Sequence, residues 1–257
     1  MIDIYKKLPG TNCGRCGVGT CMAFALKVSK SLASLSACPF MPGEVTQGTP
    51  PAPGRAAEGT FERVSLSLEK EAVRVDFRET AGAVGGTYET NNGKEAIRLT
   101  MINKTYEMRR EGLFQDGVYS TDAWAKIIVY DYVRRKGTKP LTGDWITLGH
   151  FQHTASHAKA FQNNAEKKIA AAFKANLDGL KKRCAEFGGA EIEGKIKADY
   201  FCRIDLLPRV PLYLSFWQAD EEFDEDCKLL FDSNAEDHLD IEYLAYLVER
   251  FVEELVN

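Results

Sequence analysis

Four of the seven cysteines in this 257-residue chain, Cys13, Cys16, Cys21 and Cys38, fall within its first 38 residues as Cys-x2-Cys-x4-Cys-x16-Cys. The remaining three, Cys184, Cys202 and Cys227, are scattered and read as small apolar core residues or inert thiols. An odd total argues against a disulfide framework and for thiolates held reduced on a metal. Met1 to Lys7 carries its charges in the wrong order for a secretory signal, with no apolar core behind them, so the expected location is cytoplasmic. No run approaches the ~18 apolar residues of a membrane span.

The spacing itself suggests the metal. Four thiolates must converge on a core a few ångströms wide to hold an iron–sulfur cubane. Cys13 and Cys16 can reach it from one tight turn, which Gly14 and Gly17 permit by letting backbone approach without a Cβ clash. Gly19-Thr20 leads into a helix whose first turn carries Cys21, where the partial positive charge of the helix start suits an anionic cluster. Cys21, Phe24, Val28, Leu32 and Leu35 then share one helix face. The helix is expected to span most of the gap to Cys38, with Pro39 shaping the turn after it. The alternative is a structural zinc site, although zinc modules usually present two short Cys-x2-Cys knuckles rather than a Cys-x16-Cys half.

Pro39 to Gly59 holds five of the nine prolines and four glycines, with almost nothing to bury. That composition reads as a semi-extended linker, or else as a long surface loop inside one domain. The expected division is a cysteine module over 1–42, a linker over 43–59 and a larger domain over 60–257. In the last, Val73–Phe77 and Ala96–Ile102 alternate like strands with the turn signal Asn91-Asn92-Gly93 between them, and Tyr106–Met108 suggests a third. A helix capped by Ser120 or Thr121 and ended by Gly137 and Pro140 is expected next. A longer one follows over 157–186, stopped by Gly188-Gly189. Tyr200–Leu207 and Val210–Trp217 pair as a hairpin around Pro208-Arg209, and an amphipathic helix runs over 241–255. Grouped strands followed by helices predict an α+β class.

A formal net charge of −4 leaves no general basic field and argues against nucleic acid as a partner. The charge is uneven: residues 218–257 hold two Lys/Arg against fourteen Asp/Glu. Trp217, Asp220, Glu221 and Glu222 head the densest stretch, in which seven carboxylates occupy positions 220–232. It could take a hard cation, do acid–base work, dock a basic partner, or simply open a helix with an acidic first turn. His150, His153 and His157 would share a helix face if that segment is helical, and otherwise read as surface or capping residues. No Gly-x-Ser-x-Gly, phosphate-binding loop or dinucleotide fingerprint is present.

The segments Ile4–Pro9, Asn12–Gly17, Thr20–Ala25 and Ala33–Phe40 together resemble the N-terminal [4Fe-4S] domain of the corrinoid iron–sulfur protein large subunit. They also resemble part of the B subunit of Rnf-type electron-transfer complexes. The resemblance covers the first 42 residues and implies a [4Fe-4S] cluster on Cys13, Cys16, Cys21 and Cys38. In the corrinoid family that domain delivers a low-potential electron to cobalt, beside a TIM barrel and a corrinoid domain. About 198 residues remain here after the linker, without eightfold strand–helix alternation, so neither companion is expected. Tyr130-Asp131-Tyr132, Lys136-Gly137, Lys139–Ile146, Val210–Leu212, Phe216–Phe223 and Leu230–Asp232 resemble a family of unknown function found behind such modules.

The resulting expectation is a cytoplasmic, anaerobe-type electron carrier that passes single electrons to a redox protein partner. Corrinoid or one-carbon metabolism is the setting the resemblance implies. The rivals are a redox enzyme whose larger domain binds a small substrate or corrinoid near Trp217 and Asp220, and a non-redox scaffold with a structural cluster.

Overall fold

The computed structural model describes residues 4, 8, 16, 18, 20–29, 33, 35–38, 55–152, 154–193 and 196–257. The chain divides into two compact units, Met1–Ala52 and Pro53–Asn257. Both together form an α+β protein.

The first unit is built on helix α1 (Cys21–Ser29) and a short 3-10 turn (Leu35–Ala37). Thr20 starts the helix: its Oγ1 accepts the Ala23 N–H at 3.1 Å and its carbonyl the Phe24 N–H at 3.0 Å. The helix ends sooner than the apolar stripe suggests. Leu32 lies outside the described residues.

The second unit opens with α2 (Arg55–Ala72), so residues 55–59 are helical rather than linker. Once the prolines end at Pro53, Arg-Ala-Ala-Glu is good helix-forming sequence. Val73–Phe77 is not a strand either. Val73 and Arg74 close off α2, and Asp76 caps α3 (Phe77–Ala83), its carboxylate accepting the Glu79 N–H at 2.9 Å. A cap satisfies the free donors of a helix start, and five alternating residues offer nothing comparable.

Five strands then form an antiparallel meander: β1 (Thr87–Asn91), β2 (Lys94–Met101), β3 (Lys104–Arg109), β4 (Gly112–Gln115) and β5 (Val118–Tyr119). Asn92-Gly93 turns β1 into β2 with both residues at positive φ, 51° and 77°, as such two-residue hairpins require. The next turn uses Ile102 and Asn103. Ile102 is buried at φ 46°, and its N–H donates to Leu206 O at 3.0 Å, tying this meander to the second sheet.

Helix α4 (Ala123–Arg135) is capped by Asp122, which accepts from Trp124 and Ala125 N–H, one residue beyond the expected caps. It ends at Lys136 in the left-handed conformation, and it packs against α2. Strand β6 (Trp145–Thr147) leads to α5 (Ala155–Phe161), which runs through a π-turn (Gln162–Glu166) into α6 (Lys167–Ala172). The single helix expected over 157–186 is therefore broken. Ala175 sits at φ 51°, and Asn176 caps a separate α7 (Leu177–Glu186) through the Gly179 N–H.

The second sheet adds β7 (Ala190–Glu191), β8 (Tyr200–Leu207), β9 (Val210–Trp217) and β10 (Asp226–Asp232), in the order β6-β10-β9-β8-β7 and antiparallel throughout. β9 is central and buried on both faces. Leu212, Leu214 and Phe216 join the main core, while Tyr213 packs with Phe201 and Leu230 on the other side. The chain closes with α8 (Ala235–His238) and α9 (Ile241–Val256). α9 buries Leu244, Leu247, Val248, Phe251, Val252 and Leu255. Those spacings form one helical stripe, as the pattern predicts.

Candidate functional site

In the first unit, Leu8, Cys21, Phe24, Ala25 and Cys38 form a small buried core, and Cys16, Val18, Val28 and Leu35 pack against it. Cys21 is 6% exposed at the start of α1, and Cys38 is 5% exposed. Cys38 is brought there by the 3-10 turn, its N–H donating to Leu35 O at 3.1 Å. Cys16 is half-buried, its thiol 3.8 Å from Val18 O. Three cysteines, at positions 16, 21 and 38, thus border one apolar nucleus, beside the positive end of a helix. The donor set fits an iron–sulfur group: soft sulfur, with no disulfide at Cys16 or Cys38, and with Cys21 and Cys38 buried from water. Among the described residues no set of three His, Cys, Asp or Glu is already drawn together closely enough to hold a single metal ion. Cys13, Gly14 and Gly17 lie outside the described residues.

The other expected residues are dispersed. Trp217 ends β9, its indole N–H donating to Lys197 O at 2.8 Å. The acidic stretch is a loop over 218–225 that continues into β10, not a helix start. Asp220 accepts the Glu222 and Phe223 N–H groups, both at 2.8 Å, which holds its carboxyl below the usual carboxylate range. Glu221 and Glu222 are exposed beside Phe223, which is 70% exposed. Glu225 pairs with Lys174 at 3.3 Å and Asp226 with Lys228, so these carboxylates point to different partners. Among the histidines, His150 bonds Thr147 Oγ1 through Nδ1 at 2.8 Å in a 3-10 turn. His157 is helical, and His153 lies outside the described residues. Cys184, Cys202 and Cys227 are fully buried in the second unit. Burial pushes the Cys227 thiol up, and contact with Cys202 together with burial does the same for Cys184.

Sequence reasoning missed a different assembly. The loop 137–143 has no regular structure, and two acidic side chains from the end of β10 and from α8 pin it. Asp232 is completely buried and accepts from Thr142 N at 2.8 Å, Thr142 Oγ1 at 3.1 Å, Gly143 N at 2.9 Å and Asn234 N at 3.0 Å. Asp237 accepts the Thr138 and Lys139 N–H groups at 2.6 and 2.8 Å, which lower its pKa. His238 lies beneath the loop, 2% exposed, with Nε2 3.1 Å from Lys139 O. Burial holds its pKa below the ordinary value. Gly137 allows this fit, since a Cβ there would lie 2.2 Å from His238 Nδ1. Asp131, also fully buried, joins Arg134 at 2.7 Å, Arg135 at 2.8 Å and the Asp240 N–H that opens α9. The sequence signal for this assembly is the family-like runs Tyr130-Asp131-Tyr132, Lys136-Gly137, Lys139 to Ile146 and Leu230-Phe231-Asp232.

Fold and site define a two-unit protein: a small cysteine module followed by a larger α+β domain with an acid-pinned loop. The chain belongs to the family described as a domain of unknown function, DUF3786, whose model matches residues 76–254. A second model, described as "Putative Fe-S cluster", matches residues 8–40 and supports an iron–sulfur cofactor in the first unit. Over 40 residues the chain is 50% identical to the corrinoid/iron-sulfur protein large subunit of Moorella thermoacetica, covering 16% of this chain and 9% of that protein. It is 44% identical over 46 residues to the acetyl-CoA decarbonylase/synthase complex subunit gamma of Methanothermobacter thermautotrophicus, covering 18% and 10%. Over 104 residues it is 36% identical to subunit gamma 1 of that complex in Methanosarcina thermophila, covering 40% and 20%. The chain thus spans a fifth or less of the length of these relatives. No solved structure matches. Among the described residues no helix is long and apolar enough to cross a membrane.

Proposed function

We propose that the first unit holds one [4Fe-4S] cluster on Cys13, Cys16, Cys21 and Cys38 and that the protein passes single electrons to a redox protein partner. The observation that carries this reading is that Cys21 and Cys38 lie in one buried nucleus with Cys16 packed against it, and that Cys21 stands at the first turn of α1. When bound, such a cluster supplies one-electron chemistry at low potential. The chain's own part is to position and shield. Phe24, Ala25 and Leu8 exclude water from the sulfur side, and the start of α1 offers N–H dipoles to an anionic core. Met22 and Leu26, 45% and 41% exposed, leave apolar surface on the same helix where a partner can approach closely. Since the relatives are named as subunits of a corrinoid/iron-sulfur protein and of acetyl-CoA decarbonylase/synthase, the partner is a corrinoid protein of one-carbon metabolism. The working location is the cytoplasm.

The test is the full chain purified without oxygen. It should carry about four iron and four sulfide per chain, absorb broadly near ~400 nm, and become paramagnetic on reduction. Cys21→Ser should lose most of the iron while the second unit melts at its parental temperature. Neither iron nor acid-labile sulfide in the parent, or stoichiometric zinc in their place, would overturn the reading. If the reduced protein is not reoxidised by an added Co(II) corrinoid protein, the cluster stands but the partner assignment falls.

A further inference from the structure

Where the pinned loop meets the Pro208-Arg209 turn, the second unit has a cavity of about 380 Å³ whose lining includes Ala83, Gly137, Lys139, Pro140, Arg209 and His238. Its volume is in the range of small-molecule sites. Four stretches remote in sequence build it, around Ala83, the loop, Arg209 and His238, and specific contacts fix the loop and the Arg209 turn. The loop is held by Asp232 and Asp237. The β8–β9 turn is held by Tyr132, whose buried hydroxyl donates to Val84 O at 2.7 Å and accepts the Arg209 N–H at 3.0 Å. Gly85, at φ 69°, lets that turn close: a Cβ there would lie 2.8 Å from Pro208 Cβ and 3.4 Å from Arg209 Nε.

The polar groups of the cavity are one-sided. The Arg209 guanidinium has no hydrogen-bond or ion-pair partner among the described residues. Lys139 is 62% exposed with only Asp237, at 4.0 Å, near its ammonium. Asp237 has already committed its other oxygen to the Thr138 and Lys139 N–H groups. His238 is buried with Nδ1 unpartnered. With Nε2 facing the Lys139 carbonyl, the neutral ring donates from Nε2 and keeps a lone pair on Nδ1. An arginine fork held at its backbone and a lysine around one cavity are complementary to an oxyanion, and the His238 ring adds to them only when protonated. Ala83 and Pro140 supply apolar surface beside them.

We propose that this cavity binds a small organic anion, its carboxylate or phosphate group held by Arg209 and Lys139 and its carbon skeleton resting on Ala83 and Pro140. The site is independent of the cluster and does not rest on it. An anion there offsets the repulsion that Arg209 exerts on a protonated His238, so binding is accompanied by proton uptake. The other charges bearing on that ring are Asp237 and Asp232, which favour its protonated form and are unchanged by binding.

The experiment titrates the full chain with inorganic phosphate and, separately, with acetate, following heat and the His238 imidazole resonances. Saturable one-to-one binding of at least one probe is expected, with the His238 titration moving to higher pH in the complex. Phosphate alone would assign a phosphate ester, and acetate alone a carboxylic acid. Arg209→Ala should weaken binding about ten- to a hundred-fold, the loss expected for a charge-assisted contact, at an unchanged melting temperature. Arg203→Ala, whose guanidinium is already paired with Asp205 at 2.8 Å, should bind like the parent. The proposal is overturned if neither probe saturates, or if Arg209→Ala binds as tightly as the parent.

Discussion

Asp232→Ala tests whether the Thr142–Gly143 end of the loop 137–143 is held by the buried Asp232 carboxylate, the Thr138–Lys139 end being held by Asp237. In the parent that carboxylate accepts four hydrogen bonds, three of them from Thr142 and Gly143. A hydrogen bond to a charged acceptor is worth about 1.5–3 kcal/mol when the donor is left buried. Thr142 and Gly143 are exposed, so water can replace much of the lost acceptor there, and about 1 kcal/mol per bond is the better figure. The expected loss is therefore about 3–4 kcal/mol. For a unit of this size that lowers the melting temperature by roughly 6–16 °C, at about 2–4 °C per kcal/mol. Asp232→Asn should cost less, about 1–2 kcal/mol, because its carbonyl can keep the Thr142 and Gly143 bonds while its amide faces the Asn234 N–H. Thermal unfolding gives the totals, and amide exchange at Thr142 and Gly143 locates them. If Asp232→Ala melts within about 2 °C of the parent with unchanged exchange at both amides, the loop is held by something else and the reasoning fails.

Two further outcomes follow from the same region. Tyr132→Phe removes the hydroxyl that joins Val84 O to Arg209 N–H and should cost about 1–2 kcal/mol in urea unfolding, since a buried acceptor and donor both lose their partner. His238 is buried with its pKa below the ordinary value, so the unfolded chain takes up this proton at a higher pH than the folded one. Its contribution to stability is therefore intact above the unfolded pKa of 6.5 and falls as the pH drops below it. Denaturation series between about pH 8 and pH 5 should show a shallower decline in His238→Gln than in the parent.

Much of this protein is written in short-range pattern. The four-cysteine spacing predicts a cluster module, the Asn92-Gly93 turn a hairpin, and the 3–4 spacing of Leu244 to Leu255 the closing helix; the latter two appear as such. In each case the deciding interaction lies within a few residues, so sequence order is enough. Where two local signals compete, spacing alone misleads. Val73–Phe77 alternates, yet the Asp76 cap wins, and the stripe over 157–186 continues across a break made by Ala175 and Asn176.

The second-unit site belongs wholly to tertiary structure. Asp232 and Thr142 are 90 residues apart, Tyr132 and Arg209 are 77 apart, and His238 meets Lys139 across 99. No periodicity encodes such pairs. They exist because the second sheet and α4 bring four chain segments to one corner, and because buried carboxylates there must find donors. The sequence by itself determined the Asn92-Gly93 hairpin, the Tyr200–Leu207 and Val210–Trp217 pair and the closing helix, whose signals are local. Only packing decided that an unremarkable loop, a lone arginine and the fourth histidine would share one cavity.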